Sequence, residues 1–147
     1  MPKKDFTKIS VADFAHSTPI QIRFVDIDKM GHVNNATILS YFELARTNFF
    51  DEIIGETNSW FERGLIIANT NIDYLQPVYL RDEVKAFVRI VKIGSKSFEV
   101  EHLLVKYKES EEIICAIANS ILVCMNYKSN QTIEIPTEWK EKMLAAN

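Results

Sequence analysis

The sequence predicts an α+β domain in which a five-stranded antiparallel sheet wraps one long central helix. Three observations carry that expectation. Apolar residues recur at helical spacing from Ile38 to Phe49, flanking segments alternate with period two, and the later strands are joined by connections short enough for hairpins. A sheet folded around the helix is the economical way to cover it. The chain has 147 residues, 47% of them hydrophobic and 25% charged. That balance suits one globular domain over 1–147, with its core at about 18–127, and argues against disorder.

Residues 1–17 are mixed and polar, a leader expected to pack as a short strand or helix. From Pro19, Ile20, Ile22 and Phe24 alternate with Gln21, Arg23 and Val25, which predicts a strand ending at Asp26. Asp26 to Gly31 reads as a loop. Ile38, Tyr41, Phe42, Ala45 and Phe49 then share one helical face, with Glu43, Arg46 and Asp51 outside it. Asn34 or Asn35 is a candidate cap and Gly55 a stop, giving a helix from about Asn35 to Ile54. Strands are expected at Gly64 to Tyr74 (with an extension considered as far as Tyr79), Glu83 to Ile93, Lys96 to Lys108 and Ile113 to Tyr127. A change of phase near His102 suggests a bulge there. Thr137 to Ala146 reads as a terminal helix capped by Thr137.

The net charge of -3 argues against a dedicated nucleic-acid binder. The longest apolar run, Ile113 to Met125, contains Asn119 and Ser120 and is too short to span a membrane. The charged N-terminus lacks a signal-peptide core, so a cytoplasmic protein with no membrane partner is expected. Cys115 and Cys124, about 30 Å apart along one strand, cannot pair with each other and read as buried thiols.

The chemistry concentrates in Arg23-Phe-Val-Asp-Ile-Asp-Lys-Met-Gly-His-Val-Asn-Asn35. Two carboxylates, an imidazole and two amides stand directly before a helix start. A helix N-terminus offers unpaired N–H groups and a partial positive charge, which can polarise a carbonyl and hold an oxyanion. A carboxylate folded back over it can activate water or attack directly. These parts suit acyl transfer to water without a metal, since one His among Asp residues matches no zinc pattern. Asp26 reads first as a turn or capping residue, and Asp28 as either turn residue or catalyst. His32 could bond the loop, and Asn34 and Asn35 could cap the helix. Tyr41, Phe42 and Phe49 read as core or interface. His16 and His102 receive no role, and Ser95, Ser97 and Cys115 lack a triad-like context.

The string Ile22 to Asn35, followed by Tyr41-Phe-Glu-Leu-Ala-Arg46, resembles the signature of hotdog-fold acyl-CoA thioesterases, most closely the 4-hydroxybenzoyl-CoA thioesterase type. Ile72-Asp-Tyr-Leu-Gln-Pro77 with Arg81-Asp82-Glu83-Val84 is similar to that family's second motif, although Arg81 stands where a glycine commonly precedes the aspartate. The resemblance covers about 18–127. It implies a hotdog that pairs edge to edge as a homodimer or homotetramer, with sites at the subunit interface. It also implies Asp28 as base or nucleophile, the Asn35 N–H as the group polarising the carbonyl, and His32 as a catalytic helper. Gly31, Val33, Asn34, Tyr41 and Phe42 are the expected substrate contacts. Phe49, Trp60, Phe61 and Ile66 join Phe42 as candidates for an acyl tunnel, though core packing explains them equally well. The expected substrate is acyl-CoA or acyl-ACP, with coenzyme A entering only as part of the substrate and no other cofactor. Two alternatives stand beside hydrolysis: an acyl-thioester dehydratase or hydratase on the same fold, and a non-catalytic acyl-CoA-binding module.

Overall fold

The computed structural model describes residues 5–55 and 58–147; the reading of residues 1–4 lies outside them. Strand β1 (His16–Ile20) precedes helix α1 (Asn35–Ile54). Strands β2 (Gly64–Tyr74), β3 (Glu83–Ile93), β4 (Ser97–Lys108) and β5 (Glu111–Asn126) follow, then the two-residue β6 (Gln131–Thr132) and helix α2 (Thr137–Ala146). The sheet runs β1-β3-β4-β5-β2, antiparallel throughout, with β6 appended to β5. The four strands expected after the helix are present, the first lies earlier in the chain than expected, and the sixth is a short addition.

Helix α1 lays Ile38, Tyr41, Phe42, Ala45, Phe49 and Phe50 into the core. Each buried aromatic there contributes about 1.5–3 kcal/mol through removal from water. Three bulges, at Ala68 in β2, Val91 in β3 and Cys115 in β5, interrupt the ladders. Each adds one residue to one strand and increases local bend and twist, which curls the sheet toward the helix. The bulge expected at His102 is therefore displaced. Pairing runs unbroken through His102, and the phase change arises because Leu103, Leu104 and Val105 are all fully buried. Their outer face is covered by the N-terminal segment, whose Phe6, Ile9, Val11 and Phe14 pack on Phe87, Leu103, Val105 and Ile117.

The first strand also departs from expectation. Residues 16–20 pair with β3, but Phe24–Asp26 form a 3-10 turn instead of strand, leaving Phe24 and Val25 in solvent. β2 stops at Tyr74 and does not reach Tyr79. The cap of α2 is Pro136, and Thr137 is its first helical residue. Cys115 and Cys124 are free and buried, their thiols pushed up to about 11 mainly by burial. Among the described residues no helix is long and apolar enough to cross a membrane.

Candidate active site at the start of the long helix

The loop before α1 is a folded-back hairpin held by its own backbone. Ile27 pairs with Val33, Asp28 N–H donates to His32 O at 2.8 Å, and Asn34 N–H donates to Asp26 O at 2.8 Å. Gly31 closes the tip at φ +84°, a backbone angle that side chains disfavour. Val33 N–H reaches Val78 O at 2.8 Å, fastening the loop to the segment after β2.

Asp26 is the anchor of this loop. Its carboxylate, 2% exposed, accepts from Arg23 N at 3.0 Å, from the Arg23 guanidinium at 2.9 and 3.2 Å, and from Tyr41 Oη at 2.7 Å. Burial pushes its carboxyl upward, but the bonds from Arg23 and Tyr41 outweigh it and hold the group below the usual carboxylate value. The Tyr41 hydroxyl is correspondingly raised, by burial and by the Asp26 carboxylate it serves.

Asp28 is half-buried and faces another way. Its Oδ1 accepts from Met30 N at 2.8 Å and His32 N at 3.3 Å. Among the described residues its Oδ2 makes no hydrogen bond.

At the helix start, Asn34 caps: its Oδ1 accepts from Ala36 N at 2.8 Å, while Thr37 and Ile38 N–H bond to Asn34 O at 2.9 and 3.3 Å. That accounts for every early amide except one. Asn35 N–H has no partner among the described residues, and the Tyr74 hydroxyl donates to Asn35 O at 3.0 Å. A cavity of about 290 Å³ opens beside it, walled by His32, Asn35, Ile38, Tyr74, Gln76 and Val78. His32 stands edge-on to Tyr79, ring centroids 5.2 Å apart. An amide unpaired among the described residues, at the positive end of a 20-residue helix and on a residue that lines a cleft, is a ready donor to a developing oxyanion.

The expected site residues therefore divide. His32, Val33 and Asn35 line the cleft; Asp28 lies on the loop that carries His32 into it, without lining it. Gly31 and Asn34 are exposed, with the Asn34 side chain committed to its cap. Tyr41 and Phe42, read as core or interface from their spacing and as substrate contacts from the resemblance, lie in the core. Tyr41 is tied to Asp26, and Phe42, 2% exposed, packs on His102 at 5.1 Å. Tyr74 and Gln76 were not singled out, although both lie in the second motif. The turn at Arg81 needs no glycine: Tyr79 and Asp82 close it through Tyr79 N–H to Asp82 Oδ2 at 2.8 Å and Asp82 N–H to Tyr79 O at 3.1 Å. No positive φ is required at Arg81.

A second, larger cavity of about 620 Å³ lies farther along α1, between it and the start of β2. Arg46, Thr47 and Phe50 form the helix side, and Trp60, Leu65 and Ile66 the other. Of the tunnel candidates, Trp60 and Ile66 are here, Phe49 is in the core, and Phe61 is 72% exposed. Gly64 permits this wall, since a Cβ there would stand 2.3 Å from Trp60 O and 2.5 Å from the Tyr127 ring. Among the described residues no group of three His, Cys, Asp or Glu side chains could hold a metal ion.

A curled antiparallel sheet around one long helix, with a cleft at the helix start, has the architecture of a hotdog fold. Residues 22–144 match the model of the Thioesterase-like superfamily, and the chain belongs to that superfamily. The long-chain acyl-CoA thioesterase FadM of Escherichia coli (strain K12) is 24% identical over 129 residues, 86% of this chain and 95% of that protein. The crystal structure of a thioesterase from Thermus thermophilus, complexed with coenzyme A and Zn, is 33% identical, with TM-score 0.77 over 90% of this chain and 94% of that one. A 4-hydroxybenzoyl-CoA thioesterase mutant complexed with 4-hydroxybenzoyl-CoA shares the fold at 18% identity and TM-score 0.79, over 86% and 96%. Family membership supports thioester hydrolysis as the reaction class.

Proposed function

We propose that the protein hydrolyses acyl-CoA or acyl-ACP thioesters, with the carbonyl oxygen bound at Asn35 N–H. The observation that carries this reading is that amide, unpaired among the described residues at the head of α1, beside a cleft and three residues beyond His32. The substrate carbonyl accepts from Asn35 N–H. Asp28, through the oxygen its loop leaves unbonded, takes one proton from a water whose oxygen attacks the carbonyl carbon. The tetrahedral oxyanion is held by the amide and helix dipole. The C–S bond then breaks, the thiolate leaves, and the proton on Asp28 passes to it or to solvent. Thiolate is a weak enough base to depart without a strong general acid.

The active form is a dimer joined through β2. That strand is an outer edge of the sheet, eleven residues long, with neither proline nor lysine to block pairing. Its other face of support is chemical: an edge-to-edge pair extends the hydrogen-bonded ladder without a new core.

Release of free thiol from acyl-CoA of graded chain length tests the function, and Asp28→Asn tests the mechanism. The variant is expected to lose about 10²–10⁴-fold in kcat, the usual contribution of a general base, with its circular dichroism unchanged. Undiminished turnover in Asp28→Asn would remove that carboxylate from the reaction. A rise or fall in enoyl absorbance without thiol release would favour hydration chemistry instead.

A further inference from the structure

One wall of the cleft at the helix start is Leu75 to Val78, a stretch that lies outside any strand. Its first two amides, Leu75 N–H and Gln76 N–H, donate to Cys115 O at 2.8 and 3.1 Å, and Pro77 has no N–H to give. Beyond that point its hold on the sheet passes to a side chain. Lys106, on the central strand β4, donates from Nζ to Pro77 O at 2.8 Å. The same ammonium stands 3.7 Å from Asp82 Oδ2 and 5.3 Å from the centre of the Tyr79 ring. The Lys106 side chain is 12% exposed, and a lysine is seldom buried that far without partners of this kind.

Two contacts carry the position of this segment into the loop before α1. The next carbonyl along, Val78 O, accepts from Val33 N–H at 2.8 Å, and the Tyr79 ring stands edge-on to His32 at 5.2 Å. Asp82 Oδ2, beside the ammonium, also accepts from Tyr79 N–H at 2.8 Å. Lys106 thus meets the segment at Pro77, Tyr79 and Asp82, and the segment meets the loop at Val33 and His32. The bond from Tyr41 to Asp26 ties the loop to the helix; this second set of contacts ties it to the sheet. Lys106 itself does not line the cleft. We propose that Lys106 is a positioning residue for the hydrolysis. Its ammonium sets the place of Pro77 to Tyr79 and, through Val78 O and the Tyr79 ring, the place of the loop that holds Asp28 and His32 against Asn35 N–H. The inference rests on the thioesterase reading. A displacement of about 1 Å in a reacting group is enough to cost about 10²-fold in rate, so a tie remote from the chemistry has leverage on it.

Thiol release by Lys106→Met, with Lys106→Arg as the rescue, tests the role. Methionine keeps the length of the stem and removes the donor. At a temperature where wild type and variant are both fully folded, Lys106→Met is expected to lose about 10- to 100-fold in kcat, with KM for the acyl-CoA within about threefold of wild type. Lys106→Arg, whose guanidinium can donate to the same carbonyl, is expected to regain most of that loss. Amide hydrogen exchange gives a reading independent of turnover. The Val33 amide should exchange at least about tenfold faster in Lys106→Met, while the amides of Phe42 to Phe49 within α1 keep their wild-type rates. A lysine that only stabilised the fold would leave the kcat of folded protein unchanged and raise exchange in both places together. Wild-type kcat in Lys106→Met, a loss confined to KM, a loss that Lys106→Arg does not regain, or unaltered Val33 exchange would each overturn the proposal. If Lys106→Met does not fold, Tyr79→Leu, at a position 46% exposed, carries the same test. It is expected to lose at least about threefold in kcat with faster Val33 exchange, and wild-type values of both would overturn the proposal. Wild-type protein that releases no thiol from any acyl-CoA would overturn the functional reading, whereas an active wild type with one of the contrary outcomes overturns only the role of Lys106.

Discussion

Two aspartates two positions apart have opposite surroundings, and the contrast organises the site. Asp26 is consumed by Arg23 and Tyr41, whereas Asp28 keeps one oxygen clear of the loop's own bonds. Buried charge-assisted hydrogen bonds are worth about 1.5–3 kcal/mol each, and the cost of stranding a partner is of the same order. Asp26→Asn is therefore expected to lower unfolding free energy by about 2–3 kcal/mol in urea titrations at neutral pH. Because the folded carboxyl lies below its unfolded value, its stabilisation is complete above about pH 4 and is lost as pH falls through the folded value. The deficit of Asp26→Asn should accordingly shrink in acid, and a deficit independent of pH would contradict the ionised anchor. At this scale the sequence showed the density of polar groups before the helix but not their division of labour. Which aspartate turns inward depends on Tyr41, fifteen residues away, and no local spacing carries that information.

The helix and strands were largely legible because their determinants are local. Residues 35–54 form α1 between an Asn cap and Gly55 at φ +93°, as the amphipathic stripe and end signals predict. The hairpin at Glu109-Ser110 follows similarly: both residues take positive φ, the geometry that a two-residue connection demands. Where prediction failed, a distant partner decided. Alternation through Phe24 looked like strand, but β3 offers ladder partners only as far as Ile20, and the chain then turns to bring Asp26 beneath Tyr41. Asn34→Ala tests the helix end. Removal of its bond to Ala36 N–H is expected to cost about 1 kcal/mol by thermal or urea unfolding. A loss of activity far larger than that stability change accounts for would give the Asn34 side chain a further part in the cleft.

Across the whole molecule, the sheet is covered twice, by α1 on its concave face and by the N-terminal segment on its convex face. That is why its central strands read as apolar on both sides. This double cover isolates His102. It is fully buried, with neither ring nitrogen hydrogen-bonded among the described residues, and its pKa is lowered to about 3 by burial and then by Arg46. Between that value and the ordinary 6.5 the unfolded chain binds a proton that the folded chain refuses, so stability must fall as pH drops through this window. His102→Leu should flatten the pH dependence of the unfolding midpoint there, and an unaltered slope would assign the acid sensitivity to other groups. The two cavities and the open β2 edge also belong to this scale. That β2 is an open edge was not legible in the sequence, since it depends on which strand the topology leaves outermost. The claim on which the whole account turns is that a backbone amide, rather than a side chain, polarises the thioester carbonyl. Asn35→Pro tests it directly. Proline is tolerated as the first helical residue, and Asn34 at φ -58° and ψ 135° already has the backbone a following proline requires. The substitution thus deletes only the donor from an otherwise compatible helix start, and Asn35→Ala, which retains the N–H, is the control. Thiol release with both variants at matched thermal stability is the decisive measurement: Asn35→Pro should lose about 10²–10³-fold in kcat while Asn35→Ala loses far less, and equal activity in the two would contradict an oxyanion held by that amide.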